Sequence, residues 1–144
     1  MKKVLLLLAG LLLLVALAGC GGSGSDVSAD DFSKAQAVAV TTPDGRVLET
    51  ITDQAAIEDL VTAMDVDNWA LADLPEDAKT IGKFGLSQQK TVHFGEIVSD
   101  PTLYDVGEII VYDAPYLSAT LLGFDFTFAI PDAAHDALLD YFAE

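Results

Sequence analysis

Residues 35–51 read AQAVAVTTPDGRVLETI, two β-rich runs on either side of a Pro-Asp-Gly triplet at 43–45. Glycine adopts the positive φ of a tight turn without steric cost, so Gly45 favours a turn here. Valine and threonine in the flanking runs are residue types that strands prefer. The stretch therefore predicts a β-hairpin, and the rest of the fold is built outward from it.

The next stretch, TDQAAIEDLVTAM at 52–64, has the spacing of an amphipathic helix. Its apolar residues recur at i, i+3, i+4 and i+7, which places them on one helix face. They are Ile57, Leu60, Val61 and Met64. Thr52 or Asp53 can cap the first turn, because their side-chain oxygens accept hydrogen bonds from free backbone N–H groups. A helix over residues 53–65 is predicted.

The remainder of the chain predicts mostly strands and ends in a second helix. Two loops are expected, a long one at 65–79 and an acidic one at 100–108, and a turn at Gln88 and Gln89. The expected strands are 80–87, 90–98, 109–113, 116–123 and 124–130, and a helix is expected in 131–144. Two helices and a run of strands indicate an α+β fold, a two-layer sandwich with two helices packed on a mostly antiparallel sheet.

The last expected strand alternates clearly. Phe124, Phe126 and Phe128 should share one face, while Asp125 and Thr127 face the other way. This alternation is typical of a strand with one face buried.

The charge of the chain limits what it can bind. Its 23 acidic and 7 basic residues give a net charge of -16. Lys2 and Lys3 are the basic residues among the first 19, and every acidic residue follows, so the remainder carries 5 minus 23, or -18. A domain of this charge is repelled by nucleic acid and by anionic lipid headgroups, so nucleic-acid binding is excluded. Basic proteins and other cationic ligands remain as partners.

The N-terminus has the parts of an export signal. Lys2 and Lys3 precede an apolar run of 16 residues, 4–19, which is shorter than the roughly 20 residues of a membrane-spanning helix. The run ends in the four residues LAGC, 17–20, and Cys20 is the only cysteine of the chain, so no internal disulfide can form.

These residues resemble the lipobox of bacterial lipoproteins. The resemblance covers residues 1 to about 25 and implies recognition of Leu17, Ala18 and Gly19 by a dedicated signal peptidase that cuts before Cys20. It further implies a diacylglyceryl group on the Cys20 sulfur, which would attach the chain to the extracytoplasmic face of the cell membrane. Two acyl chains give stable attachment. The expected organisation is a signal peptide at 1–19, the lipidated cysteine and a flexible tether at 20–31, and one domain at 32–144.

The acidic segment DVDNWALADLPE at 65–76 raises the alternative of a divalent-cation site. Asp65, Asp67, Asp73 and Glu76 fall at positions 1, 3, 9 and 12 of the EF-hand spacing, where oxygen ligands suit calcium. Position 6 of that spacing, however, is alanine instead of the glycine that the sharp turn needs. A less regular cation site in either acidic loop stays open, and in the second loop it would use Asp100, Asp105 and Glu108.

Motifs for catalysis are weak. SQQK at 87–90 fits the S-x-x-K pattern of penicillin-binding proteins, but that chemistry needs the serine on a buried helix, and these residues stand between two predicted strands. His93 and His135 have no partners at zinc-ligand spacing, and His135 is expected on the solvent face of the last helix. A small envelope hydrolase using paired carboxylates remains the enzymatic alternative.

Four aromatic residues in or beside the predicted loops fit either a partner-binding patch or the core. They are Trp69, Tyr104, Tyr112 and Tyr116. A small domain has few large side chains to bury, so the core is favoured. The sequence as a whole predicts a lipid-anchored, non-catalytic binding or accessory domain at the cell envelope, with no cofactor and with an envelope protein or a cationic ligand as its partner.

Overall fold

The computed structural model describes residues 27–89, 102–121 and 123–143. Within these ranges, seven antiparallel strands form one sheet in the order β2-β1-β4-β5-β6-β7-β3. The strands are β1 (Ala37–Thr41), β2 (Val47–Ile51), β3 (Ala70–Leu71), β4 (Thr80–Gln89), β5 (Leu103–Tyr112), β6 (Tyr116–Leu121) and β7 (Phe124–Ala129). With helices packed on one face of this sheet, the predicted α+β sandwich is confirmed.

The predicted hairpin is confirmed as β1 and β2. Their register pairs Val38 with Ile51 and Thr41 with Val47, and Gly45 in the turn has a φ of 88°. The Thr42 hydroxyl donates to the Asp44 carboxylate and also accepts from the Arg46 N–H at 3.0 Å. The turn is thus held by the side chains that the sequence places around it.

Among the described residues, three α-helices cover the sheet. They are α1 (Ala29–Ser33), α2 (Gln54–Met64) and α3 (Asp132–Leu139), and short 3-10 helices lie at Val66–Asn68 and Asp140–Phe142. The helix expected at 53–65 is α2, whose N-cap Asp53 accepts a hydrogen bond from the Ala56 N–H at 3.0 Å. Its predicted apolar face is confirmed, since all four residues of that face are buried.

The folded domain begins earlier than the predicted boundary at residue 32. Ser28 caps α1 by accepting from the Asp30 N–H, and the Asp31 carboxylate accepts from the Ser28 N–H. Val27 packs against the core, and Phe32 inside α1 is fully buried. The assignment of 27–31 to a tether was therefore wrong, because a capping box can fix a helix too short to show apolar periodicity.

The expected acidic loop at 100–108 is largely a strand. β5 starts at Leu103 and pairs with β4, with a register shift where Leu86 faces Gly107 but Ser87 faces Asp105. This bulge at Val106 interrupts the two-residue alternation that would have revealed the strand. Gln88 and Gln89 likewise belong to β4 and do not form a turn, and the strand predicted at 90–98 lies outside the described residues.

The core lies between the helices and one face of the sheet. Two groups of aromatic rings span it. In the first, Trp69 lies 5.6 Å from Phe32 and 5.1 Å from Phe128 between ring centroids, so it joins α1 to β7. In the second, Phe84 lies 5.6 Å from Tyr141 and 4.9 Å from Phe142, which joins β4 to the C-terminal turn.

Candidate binding surface

The phenylalanine row of β7 continues from the core onto the surface. Phe128 is fully buried, Phe126 is 38% exposed and Phe124 is 67% exposed, although register places all three on the helix-covered face of the sheet. The predicted sharing of one face is confirmed, but the helix layer covers only one end of the row. Exposed phenylalanines in a row are typical of a contact surface, since the hydrophobic effect favours removing them from water.

Leu71 of β3 extends this apolar surface sideways. It pairs with Phe128 in the register and is 64% exposed. Leu71, Phe124 and Phe126 are called the aromatic row surface below. Tyr104, half exposed, lies on the same face two strands away.

The edge of β7 is open beside this surface. β3 pairs with β7 only at Ala70 and Leu71, and the Ala72 N–H then donates to the Thr127 carbonyl at 3.1 Å. Thr127 therefore directs its backbone groups toward the β3 side, and Asp125, two residues away, directs its own to the same side. Among the described residues no strand pairs with β7 there, which leaves one donor and one acceptor for another chain.

A cavity of about 470 Å³ separates this open edge from the segment that follows β3. It is lined by Leu71, Ala72, Asp73, Leu74, Asp125, Phe126 and Thr127. Asp73 and Asp125 make its rim acidic. The Thr120 hydroxyl donates to the Asp125 carboxylate at 2.5 Å and so holds that carboxylate in place beside the edge.

A second groove, of about 650 Å³, runs over the opposite face of the sheet. Its floor contains small residues, Ala39, Gly85 and Gly107, and Glu108 in its wall is 3.3 Å from the ammonium of Lys83. Ser87 at its side donates to the Asp105 carboxylate at 3.1 Å. Besides these residues the groove is lined by Thr41, Val106 and Thr120, and its described lining contains no aromatic side chain.

The four acids proposed as calcium ligands do not converge. Asp65 ends α2 in the left-handed conformation with a φ of 52°, and its carboxylate accepts from the Asn68 amide at 2.8 Å. Within the described residues, which include Asp67, Asp73 and Glu76, no three histidine, cysteine or acidic side chains are grouped to hold a metal ion. In the second acidic segment, Asp105 and Glu108 lie on β5, and Asp100 lies outside the described residues.

We expect an Asp67→Asn/Asp73→Asn variant to show the same calcium response as the wild type. A site with a dissociation constant of 1 mM would stabilise the fold by about 1.4 kcal/mol at 10 mM calcium, which is several degrees in melting temperature. Thermal melts with and without 10 mM calcium measure this directly. If calcium raised the melting temperature of the wild type by that amount but did not raise that of the variant, the result would support a cation site.

The other chemistry-bearing residues have structural roles where they are described. His135 was expected on the solvent face but is buried, and its Nε2 lies 2.8 Å from the Tyr112 carbonyl oxygen. Helical periodicity did not reveal this, because a hydrogen-bond partner on β5 makes the burial of an imidazole acceptable. Ser87 of the SQQK stretch lies on β4 and not on a helix, whereas Lys90 and His93 lie outside the described residues.

The four loop aromatics divide between core and surface. Trp69 and Tyr112 are buried, and the Trp69 indole N–H donates to the Met64 carbonyl at 2.7 Å, a carbonyl at the end of α2. Tyr116 is partly buried and Tyr104 is exposed. The core interpretation is thus confirmed for Trp69 and Tyr112 and wrong for Tyr104.

Two ionisable groups among the described residues have shifted pKa values. The hydrogen bond from Thr42 lowers the pKa of Asp44, and burial, reinforced by Asp59 and Glu49, raises the pKa of Tyr141. Neither Asp44 nor Tyr141 lines either cavity described above. The residues with shifted pKa values thus lie in the β1–β2 turn and in the C-terminal 3-10 helix, away from both cavities.

Leu17, Ala18, Gly19 and Cys20, the residues of the lipobox resemblance, lie outside the described residues. In the described part of the chain, no helix has the length and apolar character needed to cross a membrane.

Comparison of the chain with family models, curated proteins and solved structures finds no match. The aromatic row surface therefore has to be interpreted from its own geometry.

Proposed function

We propose that this chain is a lipid-anchored lipoprotein on the extracytoplasmic face of a cell membrane, and that its domain is a non-catalytic binding module. The LAGC residues ending at Cys20 support the anchor. Val27 is the first described residue and packs against the core, so residues 21–26 would connect the lipid to the domain.

The observation that carries the binding role is the exposed aromatic row surface. Phe124 and Phe126 lie on the face of the sheet that elsewhere forms the core, and one donor and one acceptor of the neighbouring edge lack a strand partner among the described residues. Exposure of such groups in an aqueous compartment favours association with a partner that covers them.

The anchor is tested by Cys20→Ala expressed in a bacterial host. We expect the wild type to enter the detergent phase in detergent phase separation and to carry a diacylglyceryl mass on the Cys20 peptide. The variant should keep its signal segment uncut and lack that mass, because the sulfur that receives the lipid is gone. Ser25→Ala is the matched control and should behave as the wild type. Equal lipid content in the Cys20→Ala protein would refute the anchor.

The binding role is tested by placing a photo-cross-linking amino acid at Phe124 or at Val47 and irradiating intact cells. Val47 is the control because it is also an exposed strand residue, 57% accessible, but belongs to β2 at the opposite edge. A cross-linked product formed at Phe124 and absent at Val47 is expected. Equal patterns at both positions would contradict a binding role for this surface.

A further inference from the structure

The aromatic row surface has features that define the chemistry of its partner. We propose that it binds an extended polypeptide segment of a basic partner protein, with apolar side chains against Phe124 and Phe126 and with lysine or arginine at its flanks. This inference rests on the proposed binding function and adds the class of partner.

The backbone geometry favours an extended segment over a helix. β3 stops after Leu71, while β7 continues to Phe124, so the outer side of β7 around Asp125 is an exposed strand edge. An extended chain can pair with that edge and continue the line of β3, as in strand-addition complexes. A helix would leave the Asp125 backbone N–H and C=O without partners, and burying them unpaired is costly.

The side chains on this edge require apolar residues in the partner. Phe126 lies 6.4 Å from the buried Phe128 between ring centroids, so the surface is a continuation of the core row. Alternate side chains of an added strand would project over Phe124 and Phe126, because side chains alternate between the faces of a sheet. Covering an exposed phenylalanine removes on the order of 100 Å² of apolar area from water, which favours binding and offsets part of its entropic cost.

The charge around the edge selects a basic partner. Asp73 and Asp125 rim the adjacent cavity, and the chain beyond residue 19 carries a charge of 5 minus 23, or -18. A second copy of this chain and an anionic lipid surface both carry charge of the same sign and are repelled. Lysine or arginine beside the apolar residues would complement the two aspartates and speed the encounter.

The experiment uses the full chain in phosphatidylcholine nanodiscs and two labelled peptides, KKVTVTVKK and EEVTVTVEE. Fluorescence anisotropy should show binding of the lysine-flanked peptide and at least tenfold weaker binding of the glutamate-flanked one. Binding of the lysine-flanked peptide should also weaken severalfold between 0.05 and 0.5 M NaCl, because salt screens exposed charges.

Phe124→Thr is the informative variant and Val47→Thr its matched control. Threonine keeps the β propensity of the strand, so both proteins should fold, and circular dichroism checks this. Phe124→Thr should weaken binding of the lysine-flanked peptide about tenfold, and Val47→Thr should leave it unchanged. Equal loss in both variants would overturn the assignment of the site.

Other outcomes overturn the proposal in distinguishable ways. Equal binding of the two peptides would refute the basic partner while leaving a binding module in place. No binding of either peptide, together with cross-links at Phe124 to a second copy of the chain, would assign the surface to self-association. Quenching of a Phe124→Trp variant by brominated phosphatidylcholine would assign it to the lipid. No peptide binding and no specific cross-link at Phe124 would refute the binding function itself.

Discussion

Replacing Phe128 with alanine is expected to lower the free energy of unfolding by about 3–5 kcal/mol. Phe128 is fully buried, and its ring is 5.1 Å from Trp69, which in turn contacts Phe32. Truncation removes the aromatic link between β7 and α1 and leaves a cavity that the rigid sheet cannot close. Domains of this size are stable by about 5–15 kcal/mol, so a large share of the total is lost.

Phe124→Ala on the same strand is the matched control. Phe124 shares a face with Phe128 but is 67% exposed, so its truncation opens no cavity and should cost at most about 1 kcal/mol of strand propensity. Urea unfolding of the two variants, followed by the fluorescence of the single tryptophan, measures both values. If the two variants lost similar free energies of unfolding, Phe124 would have to be packed as closely as Phe128, which would contradict its exposure.

The second large effect is expected at Gly82 in β4. A Cβ built at this position overlaps the ring of Phe142 and comes within 2.7 Å of the Thr41 carbonyl oxygen. The Phe142 ring needs this space to reach Phe84, 4.9 Å away. Gly82→Ala should therefore destabilise the fold by about 1–3 kcal/mol through overpacking.

Gly85→Ala provides the comparison three residues along the same strand. A Cβ at Gly85 meets nothing nearer than 3.9 Å, so alanine there should be neutral or slightly stabilising, since it lowers the entropy of the unfolded chain. Combining Gly82→Ala with Phe142→Ala should cost less than the sum of the single changes, because the new Cβ has no Phe142 ring to clash with in the double variant. Strict additivity, or an equal effect of Gly82→Ala and Gly85→Ala, would contradict this packing.

The position of Gly82 also illustrates what packing adds to sequence. Its neighbours TIGKFGLS predict a strand, and β4 is that strand. Alternation along it places Gly82 on the buried face with Phe84 and Leu86, but no local pattern shows that a ring lies over Gly82. The ring belongs to Phe142, some sixty residues away in the chain. Only the folded chain brings that ring over the strand.

The candidate surface was predictable in part. The alternation of Phe124, Phe126 and Phe128 placed them on one face, and the structure confirms it. Which of them is exposed is set by long-range packing: Trp69 lies 5.1 Å from Phe128 between ring centroids, whereas Phe124 is 67% exposed. Tyr104 was assigned to the core because a small domain has few large side chains to bury, but it is 51% exposed although register places it on the same face as the core.

The sequence by itself determined the local elements of the domain, and it predicts a lipoprotein signal at the N-terminus. The Gly45 turn, the Asp53 cap and the 3.6-residue spacing from Ile57 to Met64 act over a few residues, so the hairpin, α2 and the α+β architecture follow from them. The lipobox resemblance at Cys20 is equally local, and the anchor it implies is the basis of the proposed location.

Tertiary structure alone decided which side chains meet and which remain uncovered. It buried His135 against the Tyr112 carbonyl, kept the acids of the EF-hand-like segment apart, and ended β3 before it could cover the edge of β7. These outcomes depend on contacts between residues distant in the chain. The energies of such contacts are comparable with local secondary-structure preferences, so the contacts can override those preferences. The aromatic row surface and its open edge exist for this reason: the helix layer and β3 stop short of the end of β7.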